Sequence, residues 1–211
     1  MFDFLQMTLS GREPLEHSGS NFNLRWQWLA QGVLQLEPLH GYQKSVVLSA
    51  GIHGNETAPI ELLNQLCSDL FSGKLSLQVR LLIILGNPDA MRQGKRYLTA
   101  DLNRMFMGGV SDFAESAETA RAKGLEQLVQ HFMQQSDPQA TRLHYDLHTA
   151  IRASLFPTFG LLPYKTEAFD PEFLNSLEAA DLDALVHHQS LGRTFSQLTA
   201  ETCQASSCTL E

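Results

Sequence analysis

Three side chains with metal-binding chemistry stand near the ends of predicted strands in this sequence. His53 and Glu56 lie three residues apart in the turn GIHGNE, and His148 follows a later apolar segment. On a tight turn or a first helical turn, positions i and i+3 project to the same side. Two imidazoles and a carboxylate are donors that suit a catalytic zinc ion. From the residues alone two interpretations stay open: a zinc site, or a chance spacing with His148 simply hydrogen bonded at its strand end.

Asp146 occupies the position two residues before His148, in the segment RLHYDL. Side chains in a strand repeat every two residues, so Asp146 and His148 are predicted to face the same side. A carboxylate there can accept a hydrogen bond from the imidazole and orient it for a metal. The remaining histidines have no partner at ligand spacing; they are His17, His40, His131, His144, His187 and His188.

A second group of polar side chains could bind an anion. The segment KRYLTADLNR contains Arg96, Asn103 and Arg104, and Arg152 follows His148 by four residues. Guanidinium groups match carboxylates with two parallel hydrogen bonds, and an asparagine amide adds a donor. The alternatives are that Arg104 pairs with its neighbour Asp101 on the surface, and that Arg152 is a surface charge or part of a structural ion pair.

Apolar runs and amphipathic stretches alternate along the chain, and they must position these groups. Continuous apolar runs such as VRLLIIL are typical of strands covered on both faces. A helix is predicted from Pro59, which suits a first turn, to Gly73, which suits a helix end. The predicted strands are 26–36, 45–50, 79–85, 142–147, 158–162, 184–188 and 207–210. The other predicted helices are 111–135 and 172–180, and the segment 89–111 is predicted to be irregular.

This alternation predicts an α/β fold with a mainly parallel mixed sheet and helices on both faces. In such folds the functional groups gather at the carboxyl ends of the strands. His53 with Glu56, the segment from Arg96 to Arg104, and His148 all stand at such places. The two groups are therefore expected to share one edge of the sheet.

Composition limits the classes of partner. The 211-residue chain is 43% hydrophobic and 18% charged, with a formal net charge of −8. That charge disfavours binding to nucleic acid or to an anionic membrane. No apolar run approaches the roughly 20 residues of a membrane helix, and the N-terminus does not resemble a secretory signal. The three cysteines are too few and too scattered for a disulfide framework, which favours a cytoplasmic protein.

Several separated motifs together resemble the zinc-dependent succinylglutamate desuccinylase and aspartoacylase family, which is related to zinc carboxypeptidases. The resemblance runs over essentially the whole chain and places the motifs in the right order. The segments that carry it are WQWLAQGVLQLEPL, GIHGNETAP, GNPDAMRQGKRYLTADLNRMF, HYDLHTAIR and SSCTLE.

The resemblance implies a role for each matching residue. It implies one zinc ion per chain, with His53, Glu56 and His148 as the ligands. It implies that Arg96 is a catalytic and substrate-binding arginine, and that Glu211 in the TLE strand end is the catalytic glutamate. It also implies substrate-binding roles for Asn103 and Arg104, while Arg152 stays a candidate from its position after His148 alone.

The resemblance implies hydrolysis of the amide of N-succinyl-L-glutamate, a small dicarboxylate substrate, to succinate and L-glutamate. In the family this is the last step of arginine breakdown through succinylated intermediates. Related reactions stay open, namely another N-acyl amino acid deacylase or a carboxypeptidase. Family chains continue beyond this glutamate into a smaller β-rich domain, so residues 1–211 are expected to be a catalytic domain without it. Such a domain could also bind metal and ligand without turnover.

Overall fold

A nine-stranded mixed sheet runs through the residues that the computed structural model describes, 3–150 and 155–211. Its strands are β1 (Ser18–Ser20), β2 (Leu24–Ala30), β3 (Val33–Pro38), β4 (Lys44–Ala50), β5 (Arg80–Leu85), β6 (Thr141–Leu147), β7 (Phe159–Leu162), β8 (Ala184–His187) and β9 (Ser206–Leu210). The helices of the same residues are α1 (Phe4–Ser10), α2 (Thr57–Ser72), α3 (Pro88–Arg92), α4 (Ala117–Gln134), α5 (Pro171–Glu178) and α6 (Phe195–Cys203). Across the described residues, no helix combines the length and apolar character that crossing a bilayer requires.

The strands lie in the order β1-β2-β3-β5-β4-β6-β9-β7-β8. The central strands β5, β4, β6 and β9 are parallel neighbours. On one side β1, β2 and β3 join β5 through antiparallel pairs, and on the other β7 pairs antiparallel with β9 and parallel with β8. The predicted α/β fold with a mixed sheet is confirmed, and its parallel character is concentrated in the centre.

Helices cover both faces of the sheet, as the apolar runs predict. On β5, Leu81 and Ile83 pack in a cluster with residues of α1, α2 and α5. The alternating residues Leu82 and Ile84 pack in a second cluster with residues of α4 and α6. All six residues of β5 are buried, because a strand covered on both faces has no solvent side.

Two predicted elements have different bounds in the structure. The predicted strand 26–36 is two strands, β2 and β3, joined by a tight turn in which Gly32 has φ +69°. A Cβ on Gly32 would lie 2.7 Å from the carbonyl oxygen of Leu85, so only glycine fits this turn. The predicted helix 111–135 begins only at Ala117, because Ser116 and Thr119 form a capping box there.

Four short strands and α-helices were not predicted from the sequence. α1, β1 and α6 lay outside the predictions, and α3 lies in the segment 89–111 predicted to be irregular. The three residues of β1 are all exposed, so no apolar alternation marks the strand. α6 buries polar side chains, among them Ser196 and Thr199, and these obscure its amphipathic pattern. The other predicted elements appear with bounds within a few residues of those expected.

Candidate metal centre

The carboxyl ends of β4, β5, β6 and β9 carry the candidate site. His53 and Glu56 follow β4, and His148 directly follows β6. Arg96 lies in the connection that leaves β5, and Glu211 directly follows β9. Because these four strands are parallel neighbours, the side chains meet at one edge of the sheet, as expected for an open α/β fold.

The turn between β4 and α2 is shaped by close backbone packing. Glu56 precedes the first residue of α2, and its N–H donates to the carbonyl of His53 at 3.3 Å. Gly54 packs directly on α3, since a Cβ there would lie 2.3 Å from the carbonyl carbon of Ala90. The Gly54 N–H also donates to the carbonyl of Arg96 at 3.2 Å. The turn bearing His53 is therefore tied to the segment bearing Arg96.

The structure brings His53, Glu56 and His148 together. His53 Nδ1 lies 2.9 Å from Glu56 Oε1, and His148 Nδ1 lies 2.9 Å from Glu56 Oε2. The two Nδ1 atoms are 3.1 Å apart. The three residues are only 3%, 3% and 6% exposed, and one ligand atom from each can be chosen with all separations within 4.8 Å. They form a group that can hold a metal ion.

Nε2 of each imidazole, the ring nitrogen that faces away from Glu56, lies within hydrogen-bond distance of another carboxylate. His53 Nε2 lies 3.0 Å from Asp101 Oδ1, and His148 Nε2 lies 3.1 Å from Asp146 Oδ2. When each Nε2 donates its proton outward, the two Nδ1 atoms present lone pairs to each other and to Glu56. Lone pairs that face one another repel unless a cation lies between them.

The donor set fits a divalent ion such as zinc. Two neutral imidazoles and one carboxylate, with a free position for water, are a common protein ligand set for catalytic zinc. At bond lengths of about 2.0–2.2 Å, tetrahedral zinc separates its donor atoms by about 3.3 Å. The separations of 2.9 and 3.1 Å among His53, Glu56 and His148 are a few tenths of an ångström shorter.

The electrostatics of the pocket also favour positive charge. Burial alone would lower the pKa of His148, but Asp146 and Glu56 outweigh it and raise that pKa to about 10. Asp101 and Glu56 likewise raise the pKa of His53 against the effect of burial. The carboxylate of Glu56 is buried, yet the two imidazoles hold its pKa below the usual range. Without a metal, His148 is therefore protonated on both ring nitrogens at pH 7, and a metal ion at its Nδ1 would displace that proton.

A chain of buried polar groups stands behind Asp146. Ser49 Oγ donates to Asp146 Oδ1 at 2.6 Å and lies 2.8 Å from His144 Nε2. His144 Nδ1 lies 2.8 Å from Thr199 Oγ1 on α6. Burial lowers the pKa of His144 to about 4, so the ring is neutral at pH 7. No partner was predicted for His144, although its spacing of two residues from Asp146 was a usable signal.

The predicted anion-binding segment lies beside the ligands. Arg96 Nη1 lies 2.9 Å from Glu56 Oε1, with the arginine side chain 35% exposed. Asn103 is buried, and its Oδ1 accepts from the Phe195 N–H at 2.9 Å, which leaves its NH₂ group available to donate. Arg104 is exposed, and its Nη1 donates to the carbonyl of Asn103 at 2.9 Å.

Asp101 has a different role from the surface pairing considered in the sequence analysis. Its Oδ1 accepts from the Asn103 N–H at 2.9 Å as well as facing His53 Nε2. The neighbouring Arg104 contributes only a weaker charge interaction that lowers the pKa of Asp101. Asp101 is therefore an orienting partner of His53, which spacing within its own segment did not indicate.

Glu211 lies at the same edge of the sheet. Its backbone N–H donates to the carbonyl of Phe159 at 2.9 Å, which continues the antiparallel ladder of β7 and β9. Burial raises the pKa of its carboxyl, and the charges of His148 and Glu56 also act on it. The side chain thus shares the electrostatic environment of the ligand cluster. Arg152 lies outside the described residues.

Comparison with known proteins identifies similar chains. A family model described as the succinylglutamate desuccinylase/aspartoacylase catalytic domain matches residues 42–211. A curated succinylglutamate desuccinylase from Serratia proteamaculans (strain 568) is 58% identical over 211 residues, which is 100% of this chain and 64% of that protein. The chain therefore spans less than two thirds of the length of this relative.

Solved structures give the same picture at the level of the fold. The crystal structure of the succinylglutamate desuccinylase from Chromobacterium violaceum matches with a TM-score of 0.90 and 38% identity, over 99% of this chain and 65% of that one. A metallo-carboxypeptidase from Burkholderia cenocepacia matches with a TM-score of 0.60 and 18% identity, over 85% of this chain and 50% of that one. The second likeness concerns the fold alone.

Proposed function

Since the chain belongs to the succinylglutamate desuccinylase/aspartoacylase family, we propose that residues 1–211 are a zinc-dependent catalytic domain. The proposed reaction is hydrolysis of the amide bond of N-succinyl-L-glutamate to succinate and L-glutamate. The relatives that support this substrate are named succinylglutamate desuccinylases. The proposed setting is the bacterial cytoplasm, at the end of arginine breakdown through succinylated intermediates.

The observation that supports the proposal most is the convergence of three lone-pair donors. Nδ1 of His53, Nδ1 of His148 and the carboxylate of Glu56 face one another at 2.9 and 3.1 Å. In the proposal they hold one zinc ion. Zinc bound there would lower the pKa of water towards about 7 and polarise the scissile carbonyl.

Glu211 is proposed as the general base. A carboxyl whose pKa is raised by burial holds a proton better than an exposed one, which suits a group that must accept one and release it again. Its carboxylate takes a proton from the attacking water as the water oxygen adds to the amide carbon. The same proton then passes to the leaving nitrogen as the carbon–nitrogen bond breaks.

Arg96 is proposed to stabilise the negative charge that develops on the carbonyl oxygen. Its guanidinium lies 2.9 Å from Glu56, at the edge of the ligand cluster, and remains partly exposed and open to a substrate. Asn103 and Arg104 are proposed to hold a substrate carboxylate, with Arg152 as a further candidate. N-succinylglutamate carries several carboxylates, and a protein of net charge −8 repels such an anion. A local cluster of cationic side chains would offset this repulsion and attract the substrate.

The test combines metal content with activity. Purified protein is expected to contain about one zinc ion per chain and to lose it in His53→Ala and His148→Ala. Rates on N-succinylglutamate, N-acetylaspartate and a short peptide are measured side by side, with the full-length Serratia relative as the reference. Preference for N-succinylglutamate supports the proposal. Equal rates on all three compounds would overturn the proposed substrate preference. Protein that neither contains nor rebinds zinc would overturn the proposed zinc site.

A further inference from the structure

Glu118, in the first turn of α4, directs its carboxylate onto a different segment of the chain. Its Oε1 accepts from the Leu98 N–H at 2.6 Å, and its Oε2 accepts from the N–H groups of Thr99 and Ala100 at 2.8 and 3.2 Å. The side-chain amide of Asn87 adds a fourth bond, to Oε1, at 3.3 Å. Glu118 is only 3% exposed, and its bonds to Leu98, Thr99 and Ala100 are partly buried.

Helix capping does not account for this arrangement. Ser116 and Thr119 already satisfy the N-terminus of α4 through bonds of 3.2 and 2.8 Å between side chains and backbone. Burial would raise the pKa of Glu118, but the backbone N–H donors hold it below its usual range. The carboxylate is therefore ionised and makes charge-assisted hydrogen bonds, which are stronger than neutral ones.

The anchored backbone has little else to hold it. The side chains of Tyr97 and Leu98 are 40% and 37% exposed, and Thr99 is exposed as well. Ala100 packs against the core cluster that α4 and α6 share, so apolar packing contributes at residue 100 but little at residues 98 and 99. The three hydrogen bonds to Glu118 are the main interactions that fix it.

The anchored stretch lies between the two groups that the site needs from this segment. Arg96, beside Glu56, precedes Leu98 by two residues. Asp101, which faces His53 Nε2, directly follows Ala100. A shift of the stretch would move the guanidinium and the orienting carboxylate together.

We propose that Glu118 is a positioning residue of the site, which fixes the backbone of residues 98–100 and thereby places Arg96 and Asp101. The expected effect on kcat rests on the proposed function, whereas the anchoring of residues 98–100 does not. Glu118 touches neither the candidate ligands nor the substrate in this proposal, and it acts only through the segment that it holds.

The test compares Glu118→Gln with Glu126→Gln. Glu126 lies on the same helix, and its Oε1 accepts a single backbone bond from Met107 at 2.5 Å, beyond the site. Glutamine keeps the size of glutamate but loses the charge and places an NH₂ group against N–H donors. Hydrogen exchange of the amides of residues 98–100 is expected to accelerate about tenfold or more in Glu118→Gln, since each lost bond lowers the cost of local opening.

Zinc affinity and kinetics are measured on the same variants. We expect Glu118→Gln to weaken zinc binding about threefold to tenfold, because Asp101 orients a ligand. We expect kcat to fall about tenfold or more with a smaller change in KM, because Arg96 acts on the transition state. Glu126→Gln should leave all three quantities near the wild-type values. Glu118→Asp keeps the charge on a shorter side chain and should give intermediate exchange if Glu118→Gln does not fold.

Each outcome decides the inference. If hydrogen exchange at residues 98–100 is unchanged in Glu118→Gln, Glu118 does not anchor this backbone. If exchange is faster but zinc affinity and kcat are unchanged, Glu118 does not position the site. If the wild-type protein does not hydrolyse N-succinylglutamate, the proposed function fails. Exchange and zinc affinity then still decide whether Glu118 positions the site.

Discussion

Asp146 Oδ2 and His148 Nε2 lie 3.1 Å apart at the carboxyl end of β6, with both side chains buried. In the neutral, metal-binding form of His148 the carboxylate keeps the ring proton on Nε2, so Nδ1 is left to face Glu56 at 2.9 Å. The other oxygen of Asp146 accepts from Ser49, so the carboxylate itself cannot turn freely. The orientation of a candidate ligand is thus set by the residue two positions before it, in the strand that leads to it.

Asp146→Asn is expected to weaken zinc binding about 10- to 100-fold, the usual cost of losing a partner that orients a ligand. The amide is uncharged and can present its NH₂ group to His148, which favours the wrong ring tautomer. Zinc affinity is measured by competition with a chelator of known affinity. Asp69→Asn is the control, because Asp69 pairs with Lys74 on the surface of α2. Wild-type affinity in Asp146→Asn would contradict the orienting role.

Arg96→Gln is expected to lower kcat on the order of 100-fold, the typical effect of removing one donor to a developing oxyanion. KM should change much less, because Asn103 and Arg104 are the groups proposed to hold the substrate carboxylate. The measurement is steady-state kinetics on N-succinylglutamate at saturating zinc. Arg92→Gln is the control, since Arg92 pairs with Asp89 on α3. A raised KM with unchanged kcat would instead assign Arg96 to substrate binding alone.

Gly54→Ala and Gly124→Ala are expected to change stability in opposite directions. A Cβ on Gly54 would lie 2.3 Å from the backbone of Ala90, so the turn bearing His53 must move away from α3. We expect a loss of about 1–3 kcal/mol or more in the free energy of unfolding, and weaker zinc binding. Gly124 lies within α4 with nothing within 4 Å of its added Cβ, so alanine there should stabilise by about 1 kcal/mol. Denaturant unfolding of both variants measures the two changes in the free energy of unfolding.

The sequence predicts the framework of the site because strand ends and two-residue spacing are local properties. The apolar runs around β4, β5 and β6 mark parallel strands, and the polar residues that follow them must share an edge. The same-face relation of Asp146 and His148 follows from period two alone, and the distance between them confirms it. The roles of Glu211, Asn103 and Arg104 stay predictions until activity is measured.

The groups that support the ligands come from distant parts of the chain. Asp101 reaches His53 across 48 residues, and Thr199 reaches His144 across 55. Such pairs depend on how the connection after β5 folds back and on where α6 packs. Neither is encoded in the spacing within one motif, so the contact of Asp101 with His53 and that of Thr199 with His144 were not predicted.

His144 is expected to make the protein acid-labile. Its pKa is about 4 in the folded protein against an ordinary value of 6.5, mainly because of burial, with Asp146 opposing that effect and His148 reinforcing it. As the pH falls below 6.5, the unfolded chain binds a proton that the folded protein refuses until about pH 4. The contribution of neutral His144 to the free energy of unfolding is therefore fully present above pH 6.5. It falls by about 3 kcal/mol in total as the pH drops towards 4.

His144→Gln removes this titration and should flatten the slope of stability against pH between 4 and 6.5. The measurement is urea unfolding at several pH values, with a chelator present so that zinc release does not contribute. The other titrating groups, His53, Glu56 and His148 among them, are common to both proteins, so the difference in slope reports His144. Parallel curves would mean that His144 accepts a proton as readily in the folded protein as in the unfolded chain, and that burial does not keep its ring neutral.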